Sequence, residues 1–327
     1  MTAARATLLG GALGDALGEP VEFLSRAAMP ADLRPGPHIS DDTQMMLFTA
    51  EGLIRARLGG LPWRGELFAA YRRWLLTQDR EFFDAADGWL LSQRELWAQR
   101  APGLTCLSAL RRDEPGTVDE PRNNSKGCGG VMRAAPAGFL ADPGTAYRVG
   151  CDLAALTHGH PSGWVAAGAL AMTVHLTAVV GLSLPAALSQ VADRIAATAG
   201  GEEVLAALLA AVRAASDRPG DPGVLAGLGE GWVAEETLAI SVYSVLSHPT
   251  EARAALRLAV AHDGDSDSTG AVAGNLLGAC GTELPADWLA GLELAGVIGR
   301  VAEDLVAALH GSPQGLVLRY PSYPQAG

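Results

Sequence analysis

The stretch His262-Asp263-Gly264-Asp265-Ser266-Asp267-Ser268-Thr269-Gly270 leads without a break into Ala271-Val272-Ala273-Gly274-Asn275-Leu276-Leu277-Gly278-Ala279. Three carboxylates stand at alternate positions of a loop, and a helix of small residues follows, one that another backbone can approach closely. Carboxylates brought together and partly dried repel one another and raise each other's pKa, so they stay ionised when a cation sits among them. Hard oxygens of this kind suit Mg²⁺, Mn²⁺ or Ca²⁺ rather than zinc or copper. The spacing is not that of an EF-hand loop, which needs Gly at its sixth position and Glu at its twelfth. Counted from Asp263, those positions hold Ser268 and Gly274. An acidic loop at a helix N-terminus also serves as a capping cluster that complements the helix dipole. Metal binding and capping therefore both stand at this point.

Outward from this loop, the chain is helical in pattern. Apolar periodicity predicts helices over about 7–18, 65–76, 90–97, 151–160, 162–180, 191–197, 202–215, 234–247 and 250–260. Gly18-Glu19-Pro20 closes the first of them. Alternating strand patterns are scarce, no repeat of fixed period occurs, and no linker separates two halves. The expectation is an all-α fold, one compact domain over residues 1–327. Residues 30–39, with Pro30, Pro35, Gly36 and Pro37, read as an exposed loop able to move over a site. Residues 315–327, with Pro321 and Pro324, read as a tail or short edge strand.

Composition narrows the function. Of 327 residues 49% are hydrophobic and 18% charged, enough for a large core without disorder. A net charge of -12 argues against broad electrostatic binding to nucleic acid or an anionic membrane. Cys106, Cys128, Cys151 and Cys280 contain no Cys-x-x-Cys pair, so neither a disulfide framework nor a zinc site is read, and a reducing, cytoplasmic setting fits. Asp15 interrupts the apolar run that follows Arg5 too early for a secretory signal. Residues 153–192 carry no Asp, Glu, Lys or Arg, and 166–184 are long enough to span a bilayer. His175, Pro185, the Ala and Gly content and the lack of basic flanks favour a buried helix instead.

Other stretches carry groups with chemistry. Ser40-Asp41-Asp42-Thr43-Gln44 heads another predicted helix at 45–53 and supplies carboxylate partners for the first acidic loop. Asn123 to Gly130 is rich in glycine and precedes Val131-Met132-Arg133. Adjacent glycines let backbone N–H groups reach an anionic ligand, although the spacing is not that of a Walker loop and such a turn is often only a turn. Thr157-His158-Gly159-His160-Pro161 places two histidines at a helix junction, where capping or support of a neighbouring site is the commoner role. Glu22 by itself reads as a solvated loop carboxylate.

Taken in order, Gly14-Asp15-Ala16-Leu17-Gly18 with Glu22, Ser40-Asp41-Asp42-Thr43, Gly127-Cys128-Gly129-Gly130-Val131-Met132-Arg133, Thr157-His158 and Gly264-Asp265-Ser266-Asp267-Ser268 resemble the ADP-ribosylglycohydrolase family. The resemblance spans about residues 7–282; each motif is weak alone, and together, in the family's order, they are specific. It implies the compact orthogonal helical bundle of that family, with two Mg²⁺ or Mn²⁺ ions in a cleft. Ser40, Asp41, Asp42, Asp265, Asp267 and Ser268 match its metal-ligand positions, and Asp263 matches none. Glu22 matches the glutamate of a segment near the substrate, and Glu22 and Asp41 are the implied groups for positioning water or moving protons. Gly127, Cys128, Gly129, Gly130 and Met132 match the wall that holds ADP-ribose, and His158 belongs beside it. Loops at 23–39 and 78–125 would form much of the rim. Ser268 stands where Thr is usual and Cys128 where Asn is frequent.

The implied reaction is hydrolysis of an ADP-ribosyl bond, releasing ADP-ribose from a modified acceptor. Arginine on a protein comes first; serine, nucleic-acid and small-molecule linkages are alternatives, with the acidity of the chain disfavouring nucleic acid. A module that binds ADP-ribose without turnover, and a structural helical protein whose acidic loops are caps, are the competing readings.

Overall fold

The computed structural model describes residues 1–83, 87–311 and 313–321. Its helices, in chain order, are α1 Ala3–Gly18, α2 Asp41–Gly59, α3 Trp63–Asp79, α4 Leu104–Leu110, α5 Pro143–Ala155, α6 Pro161–Val174, α7 Leu184–Ala196 and α8 Glu202–Asp217. They continue with α9 Leu225–Leu228, α10 Ala234–Ser247, α11 Ala252–Ala259, α12 Ser266–Ala279, α13 Ala286–Ala290, α14 Ala295–His310 and α15 Leu316–Arg319. Among the described residues there is no strand, only an isolated bridge between Gly127 and Val233. The fold is all-α, as expected. Buried apolar side chains from Ala4 to Tyr320 form one continuous cluster.

The helix α12 that follows the acidic loop packs against α1 through glycine. A Cβ added at Gly10 would overlap the carbonyl oxygen of Gly274 and sit 3.0 Å from its carbon; one at Gly14 would overlap Gly270, and one at Gly18 would overlap Ser266. The pairs climb one helix in steps of four as they descend the other, so the helices run antiparallel, backbone against backbone. This register sets the C-terminal end of α1 beside the N-terminal end of α12. A 3₁₀ turn, Glu19–Val21, then carries the chain onward to Glu22.

A third helix end joins them. Ser40 caps α2, its hydroxyl accepting the Asp42 N–H at 3.2 Å. From α1, the buried Asp15 carboxylate accepts the N–H groups of Ser40 at 3.0 Å and Thr43 at 3.2 Å, and the Thr43 hydroxyl. Helix α14 packs across α1 and α2, while α5 pairs with α6 and α10 with α8 and α12.

Several local expectations change. The apolar stretch forms α6 and a π turn, His175–Val179; by length and composition it passes for a membrane span. Every residue of α6 after Pro161 is buried, which agrees with the core-helix reading. Residues 90–97 make two 3₁₀ turns, Leu90–Ser92 and Arg94–Leu96, because Gln93 between them is extended at ψ 109°. The helix expected at 151–160 begins at Pro143 instead, where the Asp142 carboxylate caps the Thr145 N–H at 2.8 Å. Helix α14 was not expected. Residues 316–321 are neither tail nor strand: α15 docks, Tyr320 is fully buried with its hydroxyl donating to Asp304 Oδ2 at 2.9 Å, and Arg55 Nη1 donates to Pro321 O at 2.7 Å. The rest of that expected tail, 322–327, lies outside the described residues.

Candidate active site

Where the ends of α1, α2 and α12 meet, a cleft of about 530 Å³ opens. Its floor carries Glu22, Asp41, Asp42, Asp265, Asp267 and Ser268; Gly127, Cys128, Gly129, Met132 and His158 make one wall. Ala101 and Gly103 to Cys106 make the other, and Phe23 and Trp232 line the cleft as well, their rings stacked with centroids 6.1 Å apart. A second cavity of about 510 Å³, between α7, α8 and α10, is lined by Leu188, Leu208, Leu209, Val212 and other small or apolar groups. Asp193 is its only ionisable residue, so the chemistry belongs to the first.

The acidic loop is held by backbone geometry that only glycine tolerates. Gly264 sits at φ +133°, and a Cβ there would strike the Glu230 backbone. Asp265 N donates to Glu230 O at 2.9 Å, which aims the next turn into the cleft. Asp265 Oδ1 and Asp267 Oδ1 both accept the Ser268 N–H, at 3.2 and 2.9 Å. The capping reading of this loop is therefore correct as far as it goes. It leaves Asp265 Oδ2 facing Cys128 Sγ at 2.7 Å. On α2, Asp41 Oδ2 accepts the Gly103 N–H at 3.4 Å, while Asp42 Oδ2 is buried without any partner.

Burial, followed by repulsion from Asp267, raises Asp41, Asp42 and Asp265 well above the usual carboxylate range. The same two causes push Asp15 up to about 7. Glu22 reaches about 8 through burial, then Asp267, Glu19 and Asp15. Among the described residues no lysine or arginine lines the cleft to relieve them. Burial and the nearby Arg133 guanidinium lower His158 to about 3, so its imidazole is neutral. Arg133 itself stands behind the glycine-rich turn, donating to Gly129 O at 2.6 Å, Leu153 O at 3.0 Å and Thr157 Oγ1 at 2.7 Å. It braces the wall and does not enter the cleft.

Do these residues fit a divalent cation? Among the described residues no three His, Cys, Asp or Glu side chains are already drawn into a closed cluster. The donor set nonetheless fits: five carboxylates share the cleft floor with no lysine or arginine among the described lining residues, one buried carboxylate oxygen is orphaned, and a hydroxyl, Ser268, lies among them. An uncompensated carboxylate cluster is costly, and a hard cation supplies what it lacks.

Residues 2–315 match the model of the ADP-ribosylglycohydrolase family. The chain belongs to this family. It is accordingly a glycohydrolase acting on ADP-ribosyl linkages. It is 26% identical over 295 residues to ADP-ribosyl-[dinitrogen reductase] glycohydrolase of Rhodospirillum rubrum, covering 88% of each chain. A solved structure described as an ADP-ribosylglycohydrolase-related protein complex shares the fold with a TM-score of 0.59 at 23% identity, over 94% of this chain and 97% of that one.

Of the thirteen positions assigned to the site of this ADP-ribosylglycohydrolase, eleven line the one cleft. Two do not. Ser40 is fully buried with its hydroxyl engaged as the α2 cap, and Gly130 faces away, where a Cβ would lie 2.8 Å from that of Ala154 on α5. The rim also differs from expectation. Of residues 23–39 only Phe23 reaches the cleft; the loop 30–39 is tied down elsewhere, with Gly36 N bonded to Ala16 O at 2.6 Å and Leu33 O to Arg257 Nε at 3.2 Å. Asp15 was not placed among the site residues. Its neighbours in Gly14-Asp15-Ala16-Leu17-Gly18 were the signal, since a carboxylate inside a small-residue helix face must be buried with a purpose. The expected rim loop 78–125 reaches the cleft at Ala101 and at Gly103 to Cys106, whereas Trp232 carried no sequence signal, because nothing local marks a loop that is brought in by tertiary packing.

Proposed function

We propose that this chain removes ADP-ribose from arginine side chains of proteins, using two divalent cations of the Mg²⁺ or Mn²⁺ type held by Asp41, Asp42, Asp265, Asp267 and Ser268. The observation that carries the reading is the convergence of five buried carboxylates with no cationic side chain among them. Such a cleft favours metal ions and a cationic guanidinium acceptor over anionic acceptors such as nucleic acid. Cations bound there would orient the ribose and water and lower the pKa of that water.

The rest falls to the protein's own groups. Cleavage at the anomeric carbon passes through an oxocarbenium-like state, which the surrounding carboxylate charge favours. Glu22, whose burial favours its protonated form, would give a proton to the departing nitrogen. Asp41, oriented by the Gly103 N–H, is placed to position water. The turn at Gly127 to Gly129 and the neutral His158 line the wall where diphosphate and ribose oxygens would bind without added charge.

The test is release of free ADP-ribose from an arginine-ADP-ribosylated protein, with Mg²⁺, Mn²⁺ or EDTA, for the wild type and Asp265→Ala. Metal-dependent release that the substitution abolishes supports the reading. Metal-dependent binding of ADP-ribose without release would refute arginine hydrolysis and leave another linkage or a binding module.

A further inference from the structure

The thiol of Cys128 is not placed as a structural cysteine is. Its backbone N–H donates to Trp232 O at 3.2 Å, which fixes the residue at the head of its 3₁₀ turn. Its Sγ lies at the cleft, 2.7 Å from Asp265 Oδ2. By contrast, Cys106 is engaged with the Arg133 guanidinium at 3.4 Å, and Cys151 is packed between α5 and α6. A second observation in the same cleft points to a ligand: Asp42, only 3% exposed, lines it with its Oδ2 unpartnered. More sulfur lies close by, with Ser268 Oγ 3.9 Å from Met132 Sδ.

Sulfur beside carboxylate oxygens changes which cations a site prefers. Thiolate is a soft ligand that selects zinc-like ions, and zinc readily accepts mixed Cys and Asp ligation, whereas magnesium binds oxygen alone. We infer that Cys128 makes this cluster a mixed sulfur and oxygen site, in which a thiophilic divalent cation of the Zn²⁺ or Cd²⁺ class binds between Cys128 and Asp265 in competition with the hard cations. The inference rests on the reading that the cluster takes divalent cations at all. On binding, the S–H bond breaks, an S–metal bond forms and the proton leaves to buffer; nothing is oxidised or reduced. Cys128 is thus a metal-specificity residue, and soft cations occupying Asp265 exclude the Mg²⁺ or Mn²⁺ form.

The experiment is a Cd²⁺ titration of the metal-free, full-length protein, read by the ultraviolet sulfur-to-cadmium charge-transfer band. It is done in a Cys280→Ser background, because Cys280 is exposed. The band should saturate at one equivalent and be absent when Cys128→Ser is added, with Cd²⁺ affinity falling about tenfold or more. Mn²⁺ should raise the melting temperature of both proteins and suppress the band in competition. Cys128→Asn serves as a second variant, and circular dichroism checks that each is folded. A band of undiminished intensity without Cys128 overturns the inference. So does a Mn²⁺ response with no Cys128-dependent band, which leaves the hard-cation reading intact. No response to either metal in the wild type removes both.

Discussion

Replacing Gly14 by Ala should damage stability and metal response together, because one glycine contact sets both. The added Cβ would overlap Gly270 O and lie 3.1 Å from Ala271 N. The oxygen falls more than about 1 Å inside the roughly 3.5 Å contact distance, and backbone on both sides leaves no rotamer to move. The helices must part by about that much. Overpacking of this kind costs about 1–3 kcal/mol, and a site must be held within about 0.5 Å to work. Asp15 rides on α1 and Glu22 follows it after one 3₁₀ turn, whereas Asp265 caps α12 and Asp267 and Ser268 ride on it. For the wild type, a cation at about a hundred times its Kd adds about 2.7 kcal/mol. With an unfolding entropy of about 2.1 cal/mol/K per residue and 327 residues, that is a rise of about 4 °C in Tm. The assay is thermal melting with EDTA and with Mn²⁺, for the wild type, Gly14→Ala and a control, Gly65→Ala. Gly65 is helical with nothing within 4 Å of its added Cβ, so alanine there should be neutral or stabilising by up to about 1 kcal/mol. Gly14→Ala should melt lower by about 1.5–4 °C and lose most of the Mn²⁺ shift. A Gly14→Ala protein with wild-type melting and an undiminished Mn²⁺ shift would refute the reasoning.

Three further outcomes follow from the same coordinates. The metal-free protein should lose stability as pH rises from about 5 to 8: Asp15 and Glu22 titrate in the unfolded chain near ordinary carboxylate values but at about 7 and 8 when folded. A raised folded pKa means the native state binds more protons in that window, so melts at pH 5 and 8 should differ in that direction and saturating Mn²⁺ should shrink the difference. Arg133→Met should cost about 3 kcal/mol or more, because three buried acceptors, Gly129 O, Leu153 O and Thr157 Oγ1, lose their donor; urea denaturation measures it, and ADP-ribose binding should weaken as the glycine-rich wall loosens. Tyr320→Ala should cost about 3–5 kcal/mol, since the ring is fully buried and its hydroxyl bonds Asp304; a change under about 0.5 kcal/mol in the same assay would mean that the C-terminal segment is not docked.

The sequence revealed the site better than it revealed the scaffold around it. Asp265, Asp267 and Ser268 are readable because carboxylates alternating with small residues before a helix are rare and chemically specific, and Ser40-Asp41-Asp42 repeats the signal. That both sets share one cleft follows from the antiparallel register of Gly10, Gly14 and Gly18 against Gly274, Gly270 and Ser266. The small residues announced close approach, but nothing local named the partner helix. Helix α14 went unread although its buried Ile298, Val301, Ala302 and Leu305 recur at helical spacing. The prolines of the final segment suggest a tail, whereas its docking depends on Asp304 of the preceding helix α14 and on Arg55 of the distant α2. Cys128 and Gly130 share a motif yet face opposite ways, a difference that only the backbone path of the turn decides.

The central claim is that the cleft between α1, α2 and α12 holds hard divalent cations, and equilibrium binding of Mn²⁺ counted by paramagnetic resonance tests it most directly. The account predicts two specifically bound ions per chain in the wild type and their loss in a folded Asp42→Asn, Asp265→Ala protein. Absence of stoichiometric Mn²⁺ binding by the folded wild type, or wild-type binding in the doubly substituted chain, would contradict it.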